Sequence, residues 1–227
     1  MYPSPPCRQF AFRPRAGVTP SAVAQHRYIA VAGNMGSGKS SLVKWLCQQF
    51  ELAPFFEPHD ENPYLADFYG DMKRWAFSSQ LFFLVQRYKI HRSIEALGRP
   101  VVQDRTLYED AEVFAAHAHR KGNIDERDWA TYTDLYTTLR RDLRPPDLMV
   151  YLRCTTRTLR QRIKLRGRDY EQQIPKAYLE ALDKLYEEWF ARYDQSPTLV
   201  IESDQIDYVT RLFDRHALLA QIRSHLR

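Results

Sequence analysis

Short apolar runs alternate along this chain with longer stretches whose apolar positions recur at a helical period. The runs at residues 29–32, 55–56, 101–103, 148–152 and 199–201 are brief and bounded by glycine, proline or polar residues, as buried strands are. Between them, Trp75, Phe77, Leu81, Leu84, Val85, Tyr88, Ile94 and Leu97 keep a helical period across residues 74–97, which Gly98-Arg99-Pro100 ends. Further helices are predicted over 40–50, 110–119, 126–143, 158–166, 175–193 and 207–227, with a helical turn at 64–69 and polar loops at 59–63 and 168–174. Strands that alternate with helices predict an α/β fold, a parallel sheet covered by helices on both faces. In such sheets ligands sit beyond the carboxyl ends of the strands. Glu57 and Asp104-Arg105 both fall at predicted strand ends.

The junction of the first strand and first helix carries the strongest chemical signal. Gly33-Asn34-Met35-Gly36-Ser37-Gly38-Lys39-Ser40 matches G-x-x-x-x-G-K-[ST], and Ser41 follows it into the helix. Glycines let backbone N–H groups turn inward around phosphates, and the helix N-terminus adds positive potential. Lys39 can reach β/γ-phosphates and Ser40 can ligate Mg²⁺. The pattern predicts a nucleotide-phosphate site.

Composition narrows the setting. The 227 residues suit one α/β domain, and 44% hydrophobic with 27% charged residues is ordinary for a globular protein. The net charge of +5 suits nucleic acid or a polyphosphate substrate equally. Cys7, Cys47 and Cys154 are odd in number and form no CxxC, which points to a reducing cytoplasm. No apolar run approaches a membrane span. Residues 1–25 hold five prolines and three arginines but no acid and no apolar core of a signal peptide. They superficially resemble a transit peptide, and are read as a disordered extension or an early start codon, with the domain at 26–227.

Two further groups stand out. From Cys154 to Arg168, six basic residues run without an acid, including Arg162, Arg166 and Arg168. A solvated basic face or a nucleic-acid patch would look the same, but little aromatic interleaving is present for single-strand binding. Gln80 and Arg87, seven residues apart, share one face of an otherwise apolar helix.

Taken in order, the phosphate loop, Glu57-Pro58, Glu61-Asn62-Pro63-Tyr64-Leu65, Phe68-Tyr69, Trp75-x-Phe77, Gln80, Asp104-Arg105-Thr106, Asp110, Leu165-Arg166-Gly167-Arg168, and Glu171 with Ile174-Pro175 and Tyr178 resemble the deoxynucleoside kinase family. The likeness is to its bacterial deoxyadenosine/deoxyguanosine kinase branch and runs from about residue 26 to about 210. It implies a P-loop NTPase-type fold with an arginine-rich lid, ATP as phosphate donor with Mg²⁺, a small deoxynucleoside acceptor, and a homodimer. Glu57 then corresponds to the general base for the 5′-hydroxyl, Asp104 to a Mg²⁺ ligand beside Ser40, and Arg105 to the holder of the 5′-oxygen and the base carboxylate. Thr106 stands where serine is more usual. Arg162, Arg166 and Arg168 become the lid that closes on phosphates. Gln80 pairs with the base edge, and Arg87 with Asp110 selects the base, favouring purines with deoxycytidine open. Phe114 and Trp75 lie within reach of the base. Tyr69, Glu171 and Tyr178 surround the sugar.

Three rivals are weaker. A thymidylate-type monophosphate kinase would want basic residues near Glu57, where His59-Asp60-Glu61 stands instead. A GTP-regulated module would want Asn-Lys-x-Asp, which is missing. A nucleic-acid-binding protein would rest on the basic run alone.

Overall fold

The computed structural model describes residues 27–56, 61–168, 171–206 and 211–225. Five strands form one parallel sheet in the order β2-β3-β1-β4-β5: β1 Tyr28–Ala32, β2 Ala53–Phe55, β3 Val101–Asp104, β4 Leu148–Arg153 and β5 Thr198–Glu202. The chain leaves β1 for the β2 edge, returns to β3, then crosses to β4 on the other side of β1. The reversal lies beside β1, so the crevice at its carboxyl end is where such a sheet admits a ligand.

Alternation along the strands decides which helices cover which face. Tyr28, Ala30 and Ala32 point one way, into a core with α3 (Met72–Leu97), α6 (Glu126–Arg141) and α8 (Lys176–Phe190). Ile29 and Val31 point the other way, to α1 (Lys39–Phe50) and α9 (Leu212–His225). The predicted two-sided α/β fold is therefore observed. Short α2 (Leu65–Gly70) packs on the start of α3. Helix α7 (Thr156–Arg166) lies over the phosphate loop, with Leu159 and Ile163 against Met35 and Leu179.

The helix ends follow local chemistry. Asp71 caps α3 by accepting from the Arg74 N–H, and Asp125 caps α6 by accepting from the Asp128 N–H. Two departures from the sequence pattern are informative. Strand β2 begins two residues before the Phe55-Phe56 run and contains Pro54, which an edge strand tolerates because one of its sides needs no N–H. The helix expected over 110–119 is instead α4 (Leu107–Glu109), a π-helical segment Asp110–Ala115, and α5 (Ala116–Arg120). A period-3.6 reading cannot see such a widened turn, and these segments gather at functional sites. The predicted terminal helix begins at Leu212, and residues 207–210 lie outside the described part. So do Met1 to His26, on which the predicted extension falls.

Leu42 of α1 is fully buried against the sheet. Replacing it with alanine is expected to lower unfolding free energy by about 2–5 kcal/mol, read as a reduced urea midpoint at unchanged slope.

Candidate active site

The loop between β1 and α1 is shaped around its glycines. A Cβ on Gly33 would lie 2.8 Å from the Leu152 carbonyl oxygen, and one on Gly36 would lie 2.8 Å from that of Leu159. Both residues also have positive φ, +145° and +81°, so side chains are excluded by space and by backbone alike. Lys39, 7% exposed, turns its ammonium back to donate to the carbonyls of Gly33 at 2.8 Å and Asn34 at 3.0 Å. This folds a positive charge into the loop at the N-terminus of α1, where an anion is favoured. Asn34 donates to the Leu179 carbonyl at 3.0 Å and to Asp183 at 2.5 Å, which anchors the loop to α8. Burial pushes the Asp183 carboxyl up in pKa, and the bonds from Asn34 and Thr156 oppose that.

The end of β3 meets this loop. Ser40 Oγ donates to Asp104 Oδ2 at 2.5 Å, while Asp104 Oδ1 is buried with no hydrogen-bond partner. An unsatisfied carboxylate oxygen beside a hydroxyl is a hard oxygen pair of the kind Mg²⁺ takes alongside phosphates and water. Among the described residues no cluster of three or more His, Cys, Asp or Glu gathers to form a self-contained metal cage. Arg105 follows with φ +63°, a left-handed conformation unusual for a residue with a side chain, and its N–H donates to the Val31 carbonyl at 3.0 Å. Its guanidinium lies 4.4 Å from the centre of the Phe114 ring. Next to it, fully buried Arg87 pairs with Asp110 at 3.0 Å and donates to the Asp104 carbonyl at 3.2 Å.

Two cavities open from these groups. The larger, about 920 Å³, is lined by the phosphate loop with Ser41, Asp104, Arg162 and the segment Ser203 to Ile206. The smaller, about 60 Å³, is lined by Tyr69, Gln80, Asp110, Phe114, Glu171 and Tyr178 among others. As it stands it is well below the roughly 300 Å³ of a typical small-molecule site, so an occupant must widen it. Met35, Arg105 and Arg168 line both cavities. Buried Gln80, which lines the small cavity, has its amide oxygen without a partner. Burial pushes the Tyr178 hydroxyl up to about 12, with Arg105 opposing, so it remains a hydrogen-bond donor at neutral pH.

The residues singled out in the sequence thus converge, with qualifications. Glu57 lies outside the described residues, although Phe56 before it lines the larger cavity. Arg166 and Arg168 are ion-paired with Glu171, at 2.6 and 3.3 Å. Arg162 donates to the Ser37 carbonyl at 2.9 Å and to Ser203 at 2.8 Å, so it braces the loop. Trp75 departs from expectation: it stacks on Tyr64 at 5.8 Å and does not line the small cavity. Sequence reading missed Glu109, Asp183 and the 203–206 segment. The last had a signal, since it follows directly from the carboxyl end of a predicted strand. The other two had none, because an acid on a helix reads as a solvated face.

A phosphate loop at the switch point of a parallel sheet, joined to a second, smaller cavity through Met35, Arg105 and Arg168, defines a nucleotide-dependent phosphotransferase. The deoxynucleoside kinase family model matches residues 29–227, and the chain belongs to that family. It is 35% identical to the deoxyadenosine/deoxycytidine kinase of Bacillus subtilis over 189 residues, 82% of this chain and 86% of that one. It is 36% identical to a deoxyguanosine kinase of Lactobacillus acidophilus over 209 residues, 88% of this chain and 90% of the relative. The solved deoxyadenosine kinase from M. mycoides with bound dATP superposes with a TM-score of 0.76 at 32% identity, covering 87% of this chain and all of that one. The protein is therefore a kinase that phosphorylates deoxynucleosides. No helix among the described residues is long and apolar enough to cross a membrane.

The buried pair gives a stability test. Arg87→Met removes the guanidinium that faces Asp110, itself 2% exposed, and is expected to cost about 3–5 kcal/mol in chemical denaturation. Adding Asp110→Ala should recover part of that loss, because the carboxylate that faced Arg87 is then gone from the buried site.

Proposed function

We propose that the enzyme transfers the γ-phosphate of ATP to the 5′-hydroxyl of a purine deoxynucleoside, deoxyadenosine or deoxyguanosine, with deoxycytidine as a further acceptor, in nucleotide salvage. The observation that carries this is the sharing of Met35, Arg105 and Arg168 between the two cavities. A phosphate held in one and a hydroxyl held in the other meet beside Arg105, and positioning with charge stabilisation is most of what phosphoryl transfer asks of a protein.

In this reading the loop from Gly33 to Ser41 cradles the donor phosphates, and Lys39 turns from the loop carbonyls to them. Ser40 and Asp104 hold Mg²⁺, which neutralises phosphate charge when bound; the unpartnered Asp104 oxygen supports this. Glu57 takes the 5′-hydroxyl proton and Arg105 steadies that oxygen. Arg162, Arg166 and Arg168 form a lid, their forked guanidinium groups suited to phosphate oxygens. For Arg166 and Arg168 to engage phosphate they must loosen from Glu171, which frees its carboxylate for the sugar 3′-hydroxyl beside Tyr69 and Tyr178. Gln80 reads the base edge, supported by its unpartnered buried oxygen. Phe114 stacks on the base, and the Arg87–Asp110 pair selects against thymidine. The acceptor is a small molecule and not a nucleic acid. A homodimer through paired helices and a cytoplasmic location complete the reading, the first from the family likeness and the second from the sparse cysteines.

A labelled-ATP assay across four deoxynucleosides and their ribose counterparts tests it. Purine deoxynucleosides should be preferred over thymidine and over the matching ribonucleosides. A buried, unpaired 2′-hydroxyl costs about 1–3 kcal/mol, so roughly ten- to a hundredfold in kcat/KM is expected for the sugar. Tyr69→Ala should collapse the sugar ratio. Equal use of ribose and deoxyribose by the parent enzyme would overturn the sugar assignment, and a preference for thymidine would overturn the base assignment.

A further inference from the structure

Glu109 lines neither cavity, yet it is bonded to the parts that frame both. Its side chain is 0% exposed. One carboxylate oxygen accepts from the Gly33 N–H at 3.1 Å and from the Tyr186 hydroxyl at 3.0 Å, and lies 4.0 Å from Arg105 Nε. The other accepts from the Thr106 N–H at 2.9 Å and the Thr106 hydroxyl at 3.4 Å. A capping box at the start of α4 accounts for the Thr106 bonds alone, and glutamine would serve there as well as glutamate. The bond to the first glycine of the phosphate loop, 76 positions away in sequence, and the approach to Arg105 go beyond capping.

The consequence is geometric. Gly33 opens the donor loop, and Thr106 follows the residue whose backbone is held at φ +63°. One rigid carboxylate spans the two. It accepts from the N–H on one side of Arg105, while the Val31 carbonyl accepts the N–H of Arg105 itself. The left-handed turn persists because these bonds over-determine it. The same negative charge faces the guanidinium that sits over Phe114. We infer that Glu109 is a positioning residue for phosphoryl transfer, which sets the separation of the donor loop from Arg105 and holds that arginine at the junction of the two cavities. The inference rests on the reading that Arg105 acts on the reacting oxygens.

The test compares steady-state kinetics of the full chain with Glu109→Gln, Glu109→Asp, Tyr186→Phe and Arg105→Lys, each checked for folding by circular dichroism and thermal melting. Glutamine keeps length but loses charge and one acceptor; aspartate keeps charge but is too short to span both partners. Both should lower kcat on the order of a hundredfold, the cost of misplacing a reacting group by about 1 Å. KM for the deoxynucleoside should stay within about threefold, because Gln80 stands on α3 and the hydrogen bonds of Glu109 go to Gly33, Thr106 and Tyr186, none of them on that helix. Tyr186→Phe removes one donor from the same carboxylate and leaves Gly33 and Thr106 tied, so its kcat should stay within about threefold of the parent. Should Arg105→Lys leave kcat unchanged, the role given to Arg105 fails, and the inference with it. Should Arg105→Lys lose kcat while folded Glu109→Gln and Glu109→Asp keep it, the inference alone is overturned. Failure of both Glu109 variants to fold would assign the residue to fold stability and equally overturn it.

Discussion

Arg105 adopts a backbone conformation that a residue with a side chain avoids, and the arrangement of the site depends on it. A strand running straight on past Asp104 would carry the arginine away from the phosphate loop. The left-handed turn, secured by the Val31 carbonyl and by the bonds around Thr106, instead swings the guanidinium back over Phe114, between the two cavities. Strain of this kind costs about 1–3 kcal/mol and survives only where neighbouring bonds over-determine it. Parallel sheet order supplies the neighbours: β3 lies directly beside β1, so the end of one strand meets the loop leaving the other.

Charge in this centre is mutually supporting. Buried Arg87 serves Asp110 and the Asp104 carbonyl together, and Glu109 serves the loop and the arginine. Taken singly, each buried charge would be costly; paired and hydrogen-bonded, they fix geometry more than they add stability. Burial raises the Glu109 pKa, while Arg105, Lys39 and the two backbone N–H donors oppose that rise. Nearer the surface, partly exposed Arg166 and Arg168 both pair with the buried Glu171 carboxylate, so a change of partners there has to supply that carboxylate with a new hydrogen bond.

Much of this was legible in the amino-acid order. Apolar runs marked four strands nearly to the residue, the glycine spacing marked the loop, and the predicted strand ends marked Asp104-Arg105. The π-helical segment was invisible, because Asp110 and Phe114 keep a spacing compatible with an ordinary helix. Glu109 was passed over beside Asp110 because the partners that take it beyond a helix cap, Gly33 and Tyr186, lie 76 and 77 positions away. Trp75 was misplaced for a similar reason. Its position on a helix face is local information, but whether that face meets a cavity or Tyr64 depends on how α2 packs.

The central claim is that donor phosphates and acceptor hydroxyl meet across one arginine in a single continuous site. The most direct measurement is inhibition by a molecule that joins deoxyadenosine to adenosine through a 5′–5′ polyphosphate bridge. Occupying both cavities at once, it should compete with ATP and with deoxyadenosine alike, and lose most of its affinity when the bridge is too short to pass Arg105. Competition with only one of the two substrates, at every bridge length, would contradict the account.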